Sequence, residues 1–583
     1  MLSLALSTPI TTTTSAAAHS PSRPTFSLTP QHFLTHATRN HCAKISCNAT
    51  NHPENLEILG GKLDRRHLLL GMGGFSGAAA NLLSGDTAPP ALATPITGPD
   101  LSKCTRGTDL NTDQPLDVNC CPPFAHEAIP YKLPHFAKLR LRPAAHLAGK
   151  EYYAKYEKAI ALMKALPPDD PRNFMQQANV HCAYCNLTYQ QTGDEKLQLQ
   201  IHNCWHFFPW HRWYLYFYER ILGKLIDDPT FALPFWNWDS PDGAIFPEAF
   251  TGKHSPLYDA RRDPAHMPPA MADLGYAADS PTKPKKIPHN NLSIMYSEMV
   301  RTKKLEDFYG AKYVVGTQPS PGPGSVERGS HTAMHSWIGE NTTGAEDMGN
   351  FYSAARDPIF YCFHANVDRL WTLWRSQRGS KPKEFDDGDW LNADFLFYDE
   401  NAQLVRVKVG DTIDNQKLGY VYQDMELPWL KKRPLARFKK SLVAKLHKAA
   451  ETVFPVKLNK VVKVLVDRPK KSRSEKEKER EEELLVIEGI EVDTGKFVRF
   501  DVFVNDEDDK ADELDKAEYA GGYSQLPHKN PTKVKTRIRL GLTELLEDLD
   551  VEGDDKLLVS LVPKAGGEEI TIGGVKIVYD SVW

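Results

Sequence analysis

Apolar positions along this chain change their period near residue 454. Residues 202–220, HNCWHFFPWHRWYLYFYER, are apolar or aromatic on nearly every face of a possible helix, so the segment is expected at the centre of a helical core. Residues 357–371, DPIFYCFHANVDRLW, carry apolar side chains at helical spacing and predict an amphipathic helix headed by His364. The first part of the chain therefore reads as mainly α, a four-helix bundle, with short peripheral strand signals at 231–236 and 395–398. Beyond Phe454 the texture is that of strands. Val456, Leu458, Val461, Val462, Val464 and Val466 suggest strands, as do residues 484–490, 497–504, 537–542 and 557–562, and strands of this number predict a C-terminal β-sandwich. The charge run at 470–483 reads as an exposed loop or a short solvated helix.

At 583 residues the chain has room for two or three domains. A net charge of -4 argues against nucleic acid as the main partner, and no run approaches the roughly 20 apolar residues of a membrane span. Residues 1–50 contain no Asp or Glu, are rich in Ser and Thr and carry only Arg23, Arg39 and Lys44 as fixed charge, the composition of a transit peptide for an organelle. Residues 51–93 follow with Arg65-Arg66, a mildly apolar stretch to Leu83 and Ala91-Leu92-Ala93, which together resemble a twin-arginine signal. Two addresses in tandem imply a plastid and then its thylakoid lumen, with a mature start near Thr94. Residues 94–429 form the expected helical domain, 430–453 a basic linker and 454–583 the β-sandwich. Seven cysteines follow the expected cleavage site. Adjacent Cys120 and Cys121 are poorly placed to bond to each other, so each is expected to reach elsewhere, to Cys104 and to Cys182, stapling a Pro-rich, helix-poor arm to the core.

The aromatic stretch raises a chemical question, because a buried imidazole needs a partner for each ring nitrogen. His202 and His211 lie within it and His181 opens HCAYC about twenty residues earlier. That C-x-x-C has no second copy, which speaks against a zinc ribbon. HTAMH places His331 and His335 on one helical face, without the glutamate of a zinc protease, and His364 follows with Asn366 and Asp368 nearby. Six imidazoles and no ligand carboxylate fit two metals with three nitrogens each. All-nitrogen shells favour copper, zinc or iron, and three neutral donors leave copper an open position suited to dioxygen. A dinuclear zinc hydrolase would normally add a bridging carboxylate.

These motifs, with RDPIFYCFHANVDRLW, Asp389-Trp390-Leu391, Tyr420-Val421-Tyr422 and the late Arg499-Phe500-Asp501-Val502, resemble the plant polyphenol oxidases (catechol oxidases). These are type 3 copper proteins of the tyrosinase and hemocyanin family, and the resemblance runs over essentially the whole chain. It implies copper A on His181, His202 and His211, copper B on His331, His335 and His364, a thioether between Cys185 and His202, and disulfides Cys104–Cys121 and Cys120–Cys182. It further implies oxidation of o-diphenols to o-quinones with dioxygen as co-substrate. Glu327 would hold a water near copper B, Phe351 would gate copper A, and a C-terminal domain would cover the site until a protease removes it. Tyrosinase activity in the family often goes with Asn where this chain has Thr332, so weak monophenol hydroxylation is expected. Phe363 stands where the family often has a second histidine, and His206 where it is usually apolar. His206 is expected to be a hydrogen-bonded neighbour, and Cys204 and Cys362 to be small buried thiols. The competing readings are an aurone synthase type of oxidation, a dioxygen-binding protein and a zinc hydrolase.

Overall fold

The computed structural model describes residues 94–105, 119–123, 125, 127–342, 344–377, 385–436, 448–506, 513–528 and 533–581. The two targeting segments expected at 1–50 and 51–93, and residues 437–447 of the linker, lie outside the described residues.

Six helices organise the first domain: α1 (Lys150–Ala165), α2 (Phe174–Cys185), α3 (Phe207–Leu225), α4 (Ile287–Tyr296), α5 (Thr332–Ile338) and α6 (Ile359–Ser376). Helix α2 starts where the Asn173 side chain accepts a hydrogen bond from the Met175 N–H at 2.8 Å, satisfying one of the donors that a helix start leaves open. The residues of α3 from Phe207 to Glu219 are all buried, as the aromatic stretch demanded. Helix α6 begins at Ile359, so His364 lies in its second turn rather than at its head. Asn366 and Asp368 turn away from the histidines, toward Asp239 and Arg212 respectively.

Asp368 is the buried knot of this domain. It accepts hydrogen bonds from Arg212 Nε (2.5 Å), Arg142 Nη1 (3.3 Å) and the Tyr420 and Tyr422 hydroxyls. Arg142 also donates to Glu219 at 2.8 Å and lies 3.7 Å over the Tyr420 ring. The Tyr-x-Tyr segment thus returns to donate hydrogen bonds to a carboxylate that α6 buries and that Arg142 and Arg212 neutralise, and removing one partner of such a set costs about 3–5 kcal/mol.

The expected strand at 231–236 does not form. Phe235 makes a lone bridge to Ala144, and Phe235 and Trp236 belong to the core rather than the periphery. The 395–398 signal does become a strand, β1 (Asp394–Tyr398), paired antiparallel with β2 (Leu404–Lys408); the arm segment Ile129–Pro130 adds in parallel to β2. Both disulfides are formed: Cys104–Cys121 joins two points of the arm, and Cys120–Cys182 ties the arm to α2.

The C-terminal domain is a sandwich of two antiparallel sheets. Its strands are β3 (Val456–Lys457), β4 (Val462–Asp467), β5 (Glu481–Asp493), β6 (Val498–Val504), β7 (Tyr519–Gln525), β8 (Lys533–Gly541), β9 (Lys556–Ala565), β10 (Ile570–Ile572) and β11 (Gly574–Ser581). One sheet runs β8-β5-β10-β3 with β11 also on β5, the other β7-β6-β9-β4. Strands β6 and β7 are buried along their whole length. Phe500 and Val502 of β6 face the sandwich core, whereas Phe503, with Tyr519 of β7, joins the core of the helical domain. The charge run is exposed over most of its length, as read, and departs from that reading at its end. A short helix does form at Glu475–Lys478, but Glu481 opens β5, and Glu482 and Glu483 are buried, the latter paired with Arg468 at 2.7 Å.

Candidate metal centre

Helix α2 presents His181 from its inner face. A bend before α3 presents His202, whose N–H donates to Gln200 Oε1 at 3.0 Å while the Gln200 amide donates to the Cys185 carbonyl at 2.9 Å. His211 follows in the second turn of α3. His331 closes the segment Glu327–His331, kinked at Gly329, and His335 lies one turn into α5. The six rings are at most 2% exposed. They fall into two groups, His181, His202, His211 and His331, His335, His364. Within each, ligand-capable atoms lie within 4.8 Å of one another; among the described residues these are the groups whose donors converge in this way. The two groups face each other, with the His211 and His364 rings stacked 4.3 Å apart.

The hydrogen bonds decide which nitrogen is free. Nδ1 of His181 donates to the Phe351 carbonyl (3.1 Å), that of His211 to Phe207 (2.7 Å), that of His331 to Glu327 (3.2 Å) and that of His335 to Met348 (2.7 Å). This fixes a tautomer whose Nε2 carries a lone pair toward the centre. Nε2 of His181, His211 and His331, and Nδ1 of His202 and His364, have no hydrogen-bond partner although buried. Burying so many unpaired acceptors is costly unless a cation takes them, so the donor set fits a pair of soft-to-borderline metal ions.

Burial pushes all six imidazoles below their ordinary range, His211 to about 3 and His335 to about 4, so they are neutral and ready as ligands. The sign of the linkage follows. Below about 6.5 the unfolded chain takes up protons that the folded chain refuses until about 3–4, so these rings contribute stability above 6.5 that is lost as pH falls. The metal-free protein is expected to melt at a lower temperature at pH 5 than at pH 7; equal melting temperatures would contradict the neutral buried cluster.

Glu327 is buried, with Oε1 accepting from the Asn203 N–H at 2.6 Å and Oε2 without a partner. Asn203 takes a left-handed φ of 56°, which asparagine tolerates better than most residues. Burial holds the Glu327 carboxyl well above the usual range. The Thr332 hydroxyl is committed to the Glu327 carbonyl at 2.7 Å. Phe363 packs edge-on against His335 at 4.8 Å and stacks on Trp238. His206 stands outside both groups, bonded to Trp205 and the Tyr313 carbonyl. Cys204 and Cys362 are free and buried, as expected, and so is Cys185.

Sequence reasoning missed the groups that close the site. The Phe351 ring meets His202 edge-on at 4.6 Å and stacks on His528 of the C-terminal domain at 4.2 Å. Phe351 N–H donates to the Pro527 carbonyl, the Gln525 amide donates to His528 Nε2 at 3.2 Å, and the Asn203 amide donates to Gln525 Oε1 at 3.2 Å. Leu526 is buried in the helical core. Residues 525–528 read locally as a polar turn after a strand, and nothing in that stretch points to a partner more than 170 residues away.

Three family models match the chain: the common central domain of tyrosinase over residues 171–377, the polyphenol oxidase middle domain over 384–435, and the chloroplastic polyphenol oxidase C-terminal domain over 454–579. Polyphenol oxidase II, chloroplastic, of Ipomoea batatas is 52% identical over 559 residues, spanning 94% of this chain and 93% of the relative. Aureusidin synthase of Antirrhinum majus is 49% identical, over 83% of this chain and 89% of its own. The structure of latent apple tyrosinase aligns with a TM-score of 0.75 at 51% identity, covering 78% of this chain and all of that one. The chain belongs to the plant polyphenol oxidase family, with a type 3 copper tyrosinase domain followed by the family's C-terminal β domain.

Proposed function

We propose that this chain oxidises o-diphenols (catechols) to o-quinones with dioxygen as co-substrate. The observation that carries the reading is the convergence of two histidine triads with unpaired nitrogens between them. His181, His202 and His211 hold copper A; His331, His335 and His364 hold copper B. Two bound coppers supply a two-electron acceptor and the site of dioxygen reduction. Each catechol gives up two electrons and two protons, so two catechols reduce one dioxygen to two waters. The protein's own work is orientation, exclusion of water and proton transfer. Phe351 offers a face for the substrate ring. Glu327, fixed by Asn203 with Oε2 left free, takes the phenolic proton through a water. A thioether between Cys185 and His202, whose segments Gln200 already bridges, would restrain that ring.

Thr332 gives its hydroxyl to a backbone carbonyl and cannot orient a water as an amide would. Diphenols are therefore expected to be turned over faster than monophenols. On activated enzyme, kcat/KM for 4-methylcatechol should exceed that for tyramine by roughly 10²-fold, the scale of one proton-transfer contribution; comparable values would overturn this assignment. The likeness to aureusidin synthase favours a second reading, a specialised pigment-forming oxidation. A panel setting simple catechols against aurone precursors separates the two. Reversible dioxygen binding without turnover would instead select a carrier.

The chain is proposed to be latent until a protease acts, with 94–429 as the copper domain, 430–453 the linker and 454–583 the shield. Ligand burial and the His528–Phe351 stack support this. Plastid import through 1–50 and transfer to the thylakoid lumen through 51–93 are supported by their composition and by the chloroplastic names of the relatives.

A further inference from the structure

The residue that shapes the copper B half lies outside every motif above. The segment Glu327–His331, kinked at Gly329 (φ -105°, ψ -108°), faces a π-turn, Ser297–Arg301, which continues α4. A single π-turn within a helix is uncommon and is found frequently at functional sites. Glu298, of this π-turn, is 5% exposed and reaches across to the kinked segment. Its Oε1 accepts from the Ser330 N–H at 2.8 Å and its Oε2 from the Ser330 hydroxyl at 2.5 Å. Its own carbonyl accepts from the Ser325 hydroxyl at 2.9 Å, so the backbone of residue 298 is tied to the segment leading into the turn. The carboxylate occupies the space left by the missing side chain of Gly329, since a Cβ there would collide with Oε1. Glycine at 329 and an acceptor side chain at 298 are one device.

That device sits between the two residues on which the proposed chemistry depends. Ser330 precedes His331, and Glu327 opens the same turn. The C-terminal domain grips the turn from the opposite side, where the Ser524 hydroxyl donates to the Arg328 carbonyl at 2.7 Å and Arg328 Nη1 donates to the Gly522 carbonyl at 3.0 Å. Glu298 is the clamp that belongs to the helical domain itself. We propose that Glu298 is a positioning residue, which by holding Ser330 in the place left open by Gly329 aims His331 and Glu327 at the metal pair. The inference rests on the oxidase reading for the identity of the metal.

The test uses the full chain with Glu298→Gln, Glu298→Ala and Ser330→Ala. Glutamine keeps a carbonyl oxygen for the Ser330 N–H and can donate to its hydroxyl; alanine keeps neither. Wild type and E298Q are expected to hold two coppers per chain and to be silent in electron paramagnetic resonance, as two adjacent coupled copper(II) ions are. E298A is expected to hold about one, with the signal of an isolated ion, and to exchange the Ser330 amide proton roughly tenfold faster in the metal-free state, as the loss of a charge-assisted hydrogen bond implies. Should E298A not fold, S330A carries the test: it removes one hydrogen bond, and release of one copper to a chelator should quicken by roughly five- to tenfold. Wild type with two coppers and E298A with two, or E298Q behaving as E298A, or S330A releasing copper at the wild-type rate, overturns the positioning role alone. Wild type with fewer than two overturns the oxidase reading and this inference with it.

Discussion

Replacing His335 with alanine is expected to abolish catechol oxidation, by roughly 10³-fold or more, well beyond the 10–100-fold typical of losing a group that only supports a ligand. The chain should retain no more than one copper. His335 is anchored through Nδ1 to the Met348 carbonyl and brings its Nε2 to 3.2 Å from Nε2 of His364, so its removal takes a donor from the centre. His206→Gln is the control. His206 is equally buried, but its Nε2 is engaged away from the centre, by the Trp205 indole N–H in one tautomer or the Tyr313 carbonyl in the other. That variant should lose stability, not metal. Copper counting and oxygen uptake on both variants check the distinction, and equal copper content in H335A and wild type would contradict it.

The second large effect concerns access. The ligands are at most 2% exposed and Phe351 is stacked on His528, as the proposed shielding of the centre requires. Cleavage within 430–453, followed by separation of the C-terminal domain, is expected to raise kcat/KM on 4-methylcatechol by roughly 10²-fold, which corresponds to an open fraction near 1% in the intact chain. Cleavage alone should give less. The two domains remain joined by Arg301–Asp548 at 2.8 Å, Arg539–Asp307 at 2.7 Å and the contacts around Arg328. His528→Ala, which removes one stacked ring, should raise the activity of the intact chain by roughly 2–10-fold, the size of an aromatic pair. Unchanged activity after domain removal would contradict shielding.

What could be read in advance was whatever local pattern encodes. The all-round apolar α3, the i, i+4 pair His331 and His335, and the change of texture at Phe454 are periodic signals, and the structure brings all six histidines together. What escaped depends on partners distant in sequence. Strand β7, YAGGYSQ, has neither alternation nor β-branched residues, because it is buried on both faces between two domains. Glu482 and Glu483 looked solvated by composition, yet Arg468 lies against Glu483. Trp236 sits in a core segment whose apolar run does not distinguish a strand from a buried loop. His528, stacked on Phe351, and Glu298, bonded to Ser330, carry no signature in their neighbourhoods. Their contacts exist only where distant segments of the chain meet. The two disulfides stood in between: adjacent cysteines excluded one pairing, and the family resemblance supplied the other two.

The central claim is that six imidazoles from distant parts of the chain hold a pair of coppers. Metal content and electron paramagnetic resonance of the purified, copper-loaded full chain test it directly. The account expects two coppers per chain and no signal in the oxidised state, since adjacent copper(II) ions couple. Fewer than two coppers, or two that give the signals of isolated ions, would contradict it.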